Sequence, residues 1–366
     1  MAPEFIRQIQ NRPNAKREIL ASMKRATRPL VLYGAGGYAK GLVAFLQGIG
    51  IPVAAAAVDH EFRRTSAWEG LELLAVEDLP ARFGSFNALI GFADFRRARE
   101  RLRHLPGCRK IFFLDSSLAT DFFDYAYVER HQAAFQATYA RLADDLSRST
   151  MVAYVNAKIS GVPEDLYDCV VPDQYFPEGV VSLTDREIFV DAGAYDGDTL
   201  GQFIRRTSGR YRRVFALEPD PTSFRRLSTL VAEKNWPQIS LIPKGAWRSA
   251  GTLKFQVNES QGSRSSISSE GSESIAVTAI DQVVNADGAT FVKMDIEGAE
   301  LAALEGAEQT IRKFKPKLAV CAYHKPEDLI AIPQYLDAIA PGYSFYLRHH
   351  LYITQELVLY AVMRGA

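Results

Sequence analysis

Short apolar runs alternate with helical spacing in two regions of the chain, and the first region lies near the N-terminus. The apolar run at residues 30–33 leads into the turn Gly34-Ala35-Gly36-Gly37, and a helical pattern and a second run at residues 53–58 follow. This order of strand, glycine turn, helix and strand is typical of a βαβ unit. Further strands are predicted near residues 88–91 and 110–114, with an Arg-rich helix at residues 95–103 between them.

The segments on either side of this unit have helical character. Residues 3–24 are polar with scattered apolar positions, and they predict one helix. Residues 125–160 contain neither Gly nor Pro and carry apolar positions at helical spacing. We therefore divide the chain into a smaller N-terminal Rossmann-like α/β domain (1–124), a helical connector (125–185) and a second α/β domain (186–366).

The second region repeats the alternation of strands and helices. Its last two predicted strands have only a short turn between them, which indicates an antiparallel pair at the edge of a mostly parallel sheet. Between the third and fourth strands, residues 260–274 are rich in Ser, Gly and Glu and predict a mobile loop that covers the site. The predicted strands lie at residues 188–190, 213–217, 239–242, 291–294, 318–322, 343–349 and 356–362.

The composition indicates a globular protein without a charged macromolecular partner. Of the 366 residues, 47% are hydrophobic, and 43 Lys and Arg balance 43 Asp and Glu. This balance gives no electrostatic reason to expect nucleic acid or a membrane surface as a partner. No signal-peptide core or apolar run of ~20 residues is present, and Cys108, Cys169 and Cys321 lack metal-ligand spacing. We expect a cytoplasmic protein, and whether it forms a homo-oligomer stays open.

A glycine turn with three acids follows the first strand of the second domain. Glycine lets a ligand approach bare backbone, and a helix N-terminus after such a turn ordinarily serves phosphates. Three carboxylates would repel a pyrophosphate but suit a cationic ligand with an amino group and a sulfonium, which favours S-adenosylmethionine. The alternative is a capped turn without a ligand. The candidate residues in the turn are Asp191, Gly193, Ala194, Tyr195, Asp196, Asp198 and Thr199.

Two further strands end in acids. Glu218, followed by Pro219 and Asp220, closes the strand after the glycine turn and is well placed to accept both hydroxyls of a ribose. Asp295 follows the buried strand predicted at residues 291–294 and would lie at the same edge of the sheet. Asp295 is a candidate for binding the cofactor's amino group, orienting the substrate or binding a cation.

His324 follows the next strand and is the candidate general base. A neutral imidazole suits removal of a hydroxyl proton near neutral pH. The alternative is a histidine that only caps a loop. Whether a divalent metal joins Asp295, Glu297 and His324 stays open.

These segments together resemble the FkbM family of class I methyltransferases. The matching stretches are FVDAGAYDGDT, ALEPDP, TAIDQVV, FVKMDIEGAELAALEGA and AYHKPEDL, and the lead-in QYFPEGVVSLTDREIFVDAG also fits. The resemblance implies a seven-stranded sheet with a terminal antiparallel hairpin, and methyl transfer from S-adenosylmethionine to a hydroxyl of a sugar, glycan or secondary metabolite. It also implies that residues 191–198 surround the methionine and sulfonium, that Glu218 binds the ribose, that Ala246 and Trp247 border the adenine, and that Asp295 lies near the reacting centre.

The N-terminal glycine turn supports a rival interpretation. Gly34, Gly36 and Ala39, with Asp59 at the next strand end, loosely match a dinucleotide fingerprint. An oxidoreductase that uses NAD, or a domain that binds a sugar nucleotide, therefore remains an alternative. The glycines alternatively serve only a tight turn and close packing. A third alternative is a binding protein without catalytic activity.

Overall fold

The structure is a computed structural model that describes residues 3–92, 95–115, 123–258, 264–267 and 273–363. Its N-terminal unit is a six-stranded sheet with the strands β1 (Leu30–Tyr33), β2 (Ala55–Val58), β3 (Ala67–Trp68), β4 (Leu71–Ala75), β5 (Phe86–Ile90) and β6 (Cys108–Phe112). The strand order is β3-β4-β2-β1-β5-β6, and only β3 pairs antiparallel. The accompanying helices are α1 (Ala15–Lys24), α2 (Gly37–Gly48), α3 (Leu79–Phe83) and α4 (Phe95–Arg103).

The N-terminal segment differs from the single helix predicted for residues 3–24. A 3-10 turn covers Ile6–Gln8, and α1 begins only after Asn14, whose side chain accepts a hydrogen bond from the backbone of Lys16. Asn is a favoured N-cap residue, so the helix starts there. Phe5 and Ile9 are buried in the core of the larger sheet instead of the N-terminal one.

The predicted connector contains three helices, α5 (Tyr125–Arg130), α6 (Gln132–Arg141) and α7 (Asp145–Ser160). α7 packs on the last hairpin, and Phe135, Tyr139 and Met151 belong to the core of the larger sheet. The helices therefore form one layer of that core. In the part of the chain that the structure describes, no helix is long and apolar enough to cross a membrane.

A seven-stranded sheet dominates the rest of the chain, and the mixed α/β fold is confirmed. Its strands are β7 (Ile188–Ala192), β8 (Arg213–Leu217), β9 (Ile239–Ile242), β14 (Phe291–Met294), β15 (Lys317–Cys321), β16 (Tyr343–His349) and β17 (Leu357–Met363). The order is β16-β17-β15-β14-β7-β8-β9, with β17 antiparallel to both neighbours. The helices are α8 (Asp198–Arg206), α9 (Pro221–Lys234), α10 (Ile280–Val284), α11 (Glu300–Glu305), α12 (Glu308–Phe314) and α13 (Asp328–Ile339).

A third, four-stranded sheet occupies the region where a mobile loop was predicted. It consists of β10 (Gly245–Ala246), β11 (Gly251–Asn258), β12 (Arg264–Ile267) and β13 (Glu273–Thr278), with β11 antiparallel to β12 and β13. The loop prediction for residues 260–274 is therefore wrong for residues 264–267 and 273–274. Backbone pairing with β11 overrides their polar composition. Residues 260–263 and 268–272 lie outside the described part of the chain.

Asp144 joins the connector helices to the last hairpin. Its carboxylate caps α7 by accepting the backbone N–H of Ser147 at 2.8 Å, and it accepts a hydrogen bond from Arg348 Nη2 at 2.6 Å. Burial alone would raise the pKa of Asp144, but the bonds from Arg348 and Ser147 outweigh it and lower the pKa to about 2. The ionised carboxylate is therefore bound more strongly in the native state than in the unfolded chain.

The variant Asp144→Asn should lower the free energy of unfolding by about 1–2 kcal/mol at pH 7, after allowance for the exposure of the carboxylate. Because Asn can still cap the helix, the loss of unfolding free energy measures the contribution of the negative charge. The contribution is present above the unfolded pKa of ~3.9 and is lost as the pH falls towards the native value. Urea unfolding between pH 7 and pH 2 measures this difference.

Asp145→Asn is the matched control, because the neighbouring carboxylate is 97% exposed and pairs with Arg148 across the helix surface. Its effect should stay within about 0.5 kcal/mol. A loss in Asp144→Asn that does not change with pH would contradict the electrostatic explanation.

Candidate functional site

A cleft of about 350 Å³ lies at the carboxyl edge of the seven-stranded sheet. Open α/β sheets bind ligands at this edge, because the chain leaves each parallel strand there. Five of the predicted site residues lie outside the lining, namely Asp191, Ala194, Asp196, Trp247 and His324. The predicted residues that line the cleft are Gly193, Tyr195, Asp198, Thr199, Glu218, Pro219, Asp220, Ala246 and Asp295.

Lys293 and Asp191 form a buried ion pair beneath the cleft. They face each other in register on β14 and β7, with Lys293 Nζ 3.0 Å from Asp191 Oδ1. Nζ also donates to the carbonyl oxygen of Gly193 at 2.6 Å. Burial lowers the pKa of Lys293, but Asp191 and Asp295 outweigh it and raise the pKa above its ordinary value. Asp191 thus supports the turn from below, and Lys293, which sequence analysis missed, lines the cleft.

The glycine turn packs tightly against the end of β14. Gly193 has a φ of +80°, and a Cβ at this position would lie 1.9 Å from the carbonyl oxygen of Asp295. No side chain fits there, so the requirement for glycine is steric as well as conformational. The turn therefore fixes the distance between the first strand and Asp295.

Glu218 is held rigidly at the end of β8. Its Oε2 accepts the backbone N–H of Tyr195 and its Oε1 accepts that of Asp220, each at 2.8 Å. The side chain is buried, and burial raises the pKa of this carboxyl above its ordinary value. Because each carboxylate oxygen can accept a second bond, Glu218 can still bind two hydroxyls of a ligand.

One wall of the cleft is apolar. Ala246 lines it together with Ile275 and Val277, which the sequence analysis did not identify. Trp247 lies outside the lining, and its ring packs beside Ile275 and Val277. The sequence did not indicate that β13 forms part of this wall, because β13 pairs with β11 and not with the strand next to it in the sequence.

The opposite wall is polar and comes from residues on irregular backbone that the sequence did not indicate as part of the site. Gln174, Tyr175 and Glu356 line it beside Asp295 and Tyr323. The hydroxyl of Tyr175 donates to Asp295 Oδ2 at 2.8 Å. Burial raises the pKa of Asp295, but Lys293, the imidazole of His324 and the bond from Tyr175 outweigh it and lower the pKa. Asp295 is therefore an anion at neutral pH.

His324 lies behind Asp295 among three carboxylates. Nδ1 lies 2.9 Å from Glu300 Oε1, and Nε2 lies 3.5 Å from Asp295 Oδ1 and 3.4 Å from Glu297 Oε2. Burial lowers the pKa of His324, but Glu300, Asp295 and Glu297 outweigh it and raise the pKa to about 10. The expected neutral general base does not fit this environment, because an imidazolium has no lone pair to accept a proton.

The N-terminal glycine turn has a structural explanation. Gly34 has a φ of +135°, and a Cβ there would lie 2.7 Å from the carbonyl oxygen of Gly91. Asp59, the acid of the fingerprint, accepts a hydrogen bond from the hydroxyl of Tyr33 at 2.7 Å and pairs with Arg101 at 2.9 Å. These contacts favour the interpretation that the turn serves packing.

The buried pair leads to a stability prediction. Lys293→Met should lower the free energy of unfolding by about 3–5 kcal/mol, because it leaves the carboxylate of Asp191 buried without its counter-ion. The double variant Asp191→Asn/Lys293→Met should recover part of this loss. Denaturant unfolding of the two variants measures the effect, and equal losses in both would contradict it.

Comparisons with known proteins agree with this architecture. Residues 191–353 match the family model described as the methyltransferase FkbM domain. The crystal structure of methyltransferase FkbM from Methylobacillus flagellatus KT aligns with 97% of this chain and 95% of that chain, with a TM-score of 0.69 and 28% identity. No curated protein matches the sequence.

Other solved structures align with only half of the chain. An rRNA methylase from Streptococcus thermophilus covers 50% of this chain and 90% of its own, with a TM-score of 0.34 and 17% identity. Fibrillarin from Aeropyrum pernix, which carries natively bound S-adenosyl-L-methionine, covers 50% and 71%, with a TM-score of 0.32 and 15% identity.

The resemblance to the FkbM family is thus confirmed by the family model and by a structural likeness along nearly the whole chain. The chain is a methyltransferase whose residues 191–353 form an FkbM domain.

Proposed function

We propose that the chain transfers a methyl group from S-adenosylmethionine to a hydroxyl of a sugar, a glycan or a secondary metabolite. The observation that carries the proposal is the cleft, which Glu218, the glycine turn and Asp295 line together at one edge of the sheet. The seven strands with an antiparallel β17 are also the arrangement that the class I resemblance implies.

The residues of the cleft fit the cofactor in shape and in charge. Glu218 offers two acceptor oxygens for the ribose hydroxyls, and Gly193 lines the cleft. Ala246, Ile275 and Val277 offer an apolar surface to the adenine ring. Asp198 and Asp295 give the cleft a negative potential where the methionine part of the cofactor would lie, and this potential suits an amino group and a sulfonium.

The polar wall is the proposed acceptor side. When bound, the cofactor supplies an electrophilic methyl group on its sulfonium. Asp295 would accept a hydrogen bond from the acceptor hydroxyl, orient its oxygen and take its proton as the O–CH3 bond forms and the S–CH3 bond breaks. Tyr175 would hold the Asp295 carboxylate in place. Positioning of this kind supplies much of the rate enhancement in a displacement reaction. His324 would position Asp295 from behind.

Glu218→Gln should weaken the binding of S-adenosylhomocysteine. At least one charge-assisted hydrogen bond, worth about 1.5–3 kcal/mol, would be lost or weakened, so the dissociation constant should rise roughly 10–100-fold. Titration calorimetry on folded protein gives this value, with the exposed Glu233→Gln on α9 as the control. Unchanged affinity in the Glu218 variant would contradict the ribose assignment.

Tyr175→Phe should reduce turnover about tenfold or more and leave cofactor affinity nearly unchanged. The variant removes only the hydroxyl that donates to Asp295, a bond worth about 1.5–3 kcal/mol. The acceptor is first found by incubation with labelled S-adenosylmethionine and a panel of hydroxylated glycans and metabolites.

Tyr335→Phe is the control for that measurement, because its hydroxyl bonds to Glu308, outside the cleft. Equal losses in the two variants would contradict the role of Tyr175. Transfer of the label to a nitrogen or carbon acceptor instead of a hydroxyl would overturn the proposed acceptor chemistry.

A further inference from the structure

We propose that Asp295, Glu300 and His324 bind a divalent transition-metal ion at the back of the polar wall. Methyl transfer from a sulfonium does not itself require a metal, so this site goes beyond the proposed function. It would place a Lewis acid beside the acceptor side of the cleft, since Asp295 lines the cleft. The ion would take the place of the imidazolium proton of His324, because only the neutral ring has a lone pair that binds a metal.

The three residues already have the spacing of a ligand set. Each offers one ligand atom, and these atoms all lie within 4.8 Å of one another. Ligands on opposite sides of an ion, each about 2.1 Å from it, are about 4.2 Å apart, so only a small contraction is needed. Glu297 adds a further carboxylate, 3.4 Å from His324 Nε2.

Buried polar atoms in this cluster lack hydrogen-bond partners. Among the described residues, Nε2 of His324 makes no aligned hydrogen bond, Nδ1 contacts Glu300 Oε1 at 2.9 Å, and Glu300 Oε2 has no hydrogen-bond partner. The two side chains are only 8% and 0% exposed. Buried polar atoms without a partner are costly and rare in native proteins. The unpartnered atoms on two residues of one cluster point to a missing ligand.

On the Nδ1 side His324 pairs with Glu300 Oε1 at 2.9 Å, but the distances on the Nε2 side favour an ion over a simple histidine–carboxylate pair. His324 Nε2 lies 3.5 Å from Asp295 Oδ1 and 3.4 Å from Glu297 Oε2. Both distances exceed the ~2.7–2.9 Å of a charge-assisted hydrogen bond. Two adjacent ligands at about 2.1 Å from one ion are separated by about 3.0–3.4 Å.

Charge and rigidity support the same conclusion. Asp295, Glu297 and Glu300 bring three carboxylates around one imidazole, while the neighbouring cation Lys293 is engaged by Asp191 and by the carbonyl of Gly193. Asp295 directly follows β14, His324 follows β15, and these two strands pair in register. The ligands are therefore preorganised on the sheet and do not depend on a flexible loop.

The mixed ligand set indicates the kind of metal. Mg²⁺ and Ca²⁺ prefer oxygen ligands only, whereas an imidazole together with carboxylates suits ions such as Mn²⁺, Fe²⁺ or Zn²⁺. Mn²⁺ is the probe of choice, because free Mn²⁺ is measured directly by electron paramagnetic resonance.

The test is a Mn²⁺ titration of the full-length protein after chelation and dialysis. We expect one saturable ion per chain, with Mg²⁺ a much weaker competitor. Glu300→Gln and Asp295→Asn should each weaken Mn²⁺ binding at least tenfold. Glu308→Gln, which alters a carboxylate on the next helix outside the cluster, should bind as the unmodified protein does.

Absence of a bound ion in the unmodified protein would overturn the proposal, and so would unchanged affinity in the Asp295 and Glu300 variants. Circular dichroism checks that the variants fold. If Glu300→Gln does not fold, Asp295→Asn decides, because Asp295 lies at the partly exposed rim. A titration with S-adenosylhomocysteine on the same samples tests the proposed function separately, so the failure of one leaves the other measurable.

Discussion

The ion pair between Lys293 and Asp191 is the interaction on which the rest of the site depends. Both side chains are buried between the central strands, where either charge alone would cost several kcal/mol. The pair therefore fixes the register of β7 against β14, since a slip by one residue would move each side chain to the other face of the sheet. Through its bond to the carbonyl of Gly193, the same lysine also fixes the turn beneath the cleft.

Local sequence patterns predict the position of a strand correctly where the strand leads directly into one of the motifs. The strands at Arg213–Leu217 and Phe291–Met294 lie where their apolar runs predicted them, and the acids that follow reach one edge. The four-stranded sheet was missed, because β12 is short and polar and because β13 pairs with β11 and not with β12, its neighbour in the sequence. Tyr175 and Glu356 were missed for a related reason. They occupy irregular backbone with positive φ, and irregular segments carry no periodic signal.

The ionisation state of His324 could not be predicted from the residues next to it in the sequence. Its position after β15 could be predicted, and so could its proximity to Asp295. Glu300, however, begins the helix α11, and nothing local in the sequence places it beside the imidazole. In the folded chain its Oε1 accepts the backbone N–H of Ile296 and also faces the imidazole. The ionisation of His324 thus depends on three acids whose convergence is a property of the tertiary structure.

The burial of Phe5 and Ile9 in the larger core changes the topological description of the chain. Phe5 stacks on Phe135 with ring centroids 5.6 Å apart, and Phe123 meets the same ring edge-on at 6.3 Å. The chain therefore leaves the methyltransferase core just before the six-stranded unit and returns to the same place after it. Although it comes early in the sequence, this unit is an inserted domain whose two ends are anchored side by side. Cutting the chain at residue 125 or 186 would strip aromatic packing from the remaining core, whereas joining the two anchors directly would remove the insert and leave that packing intact.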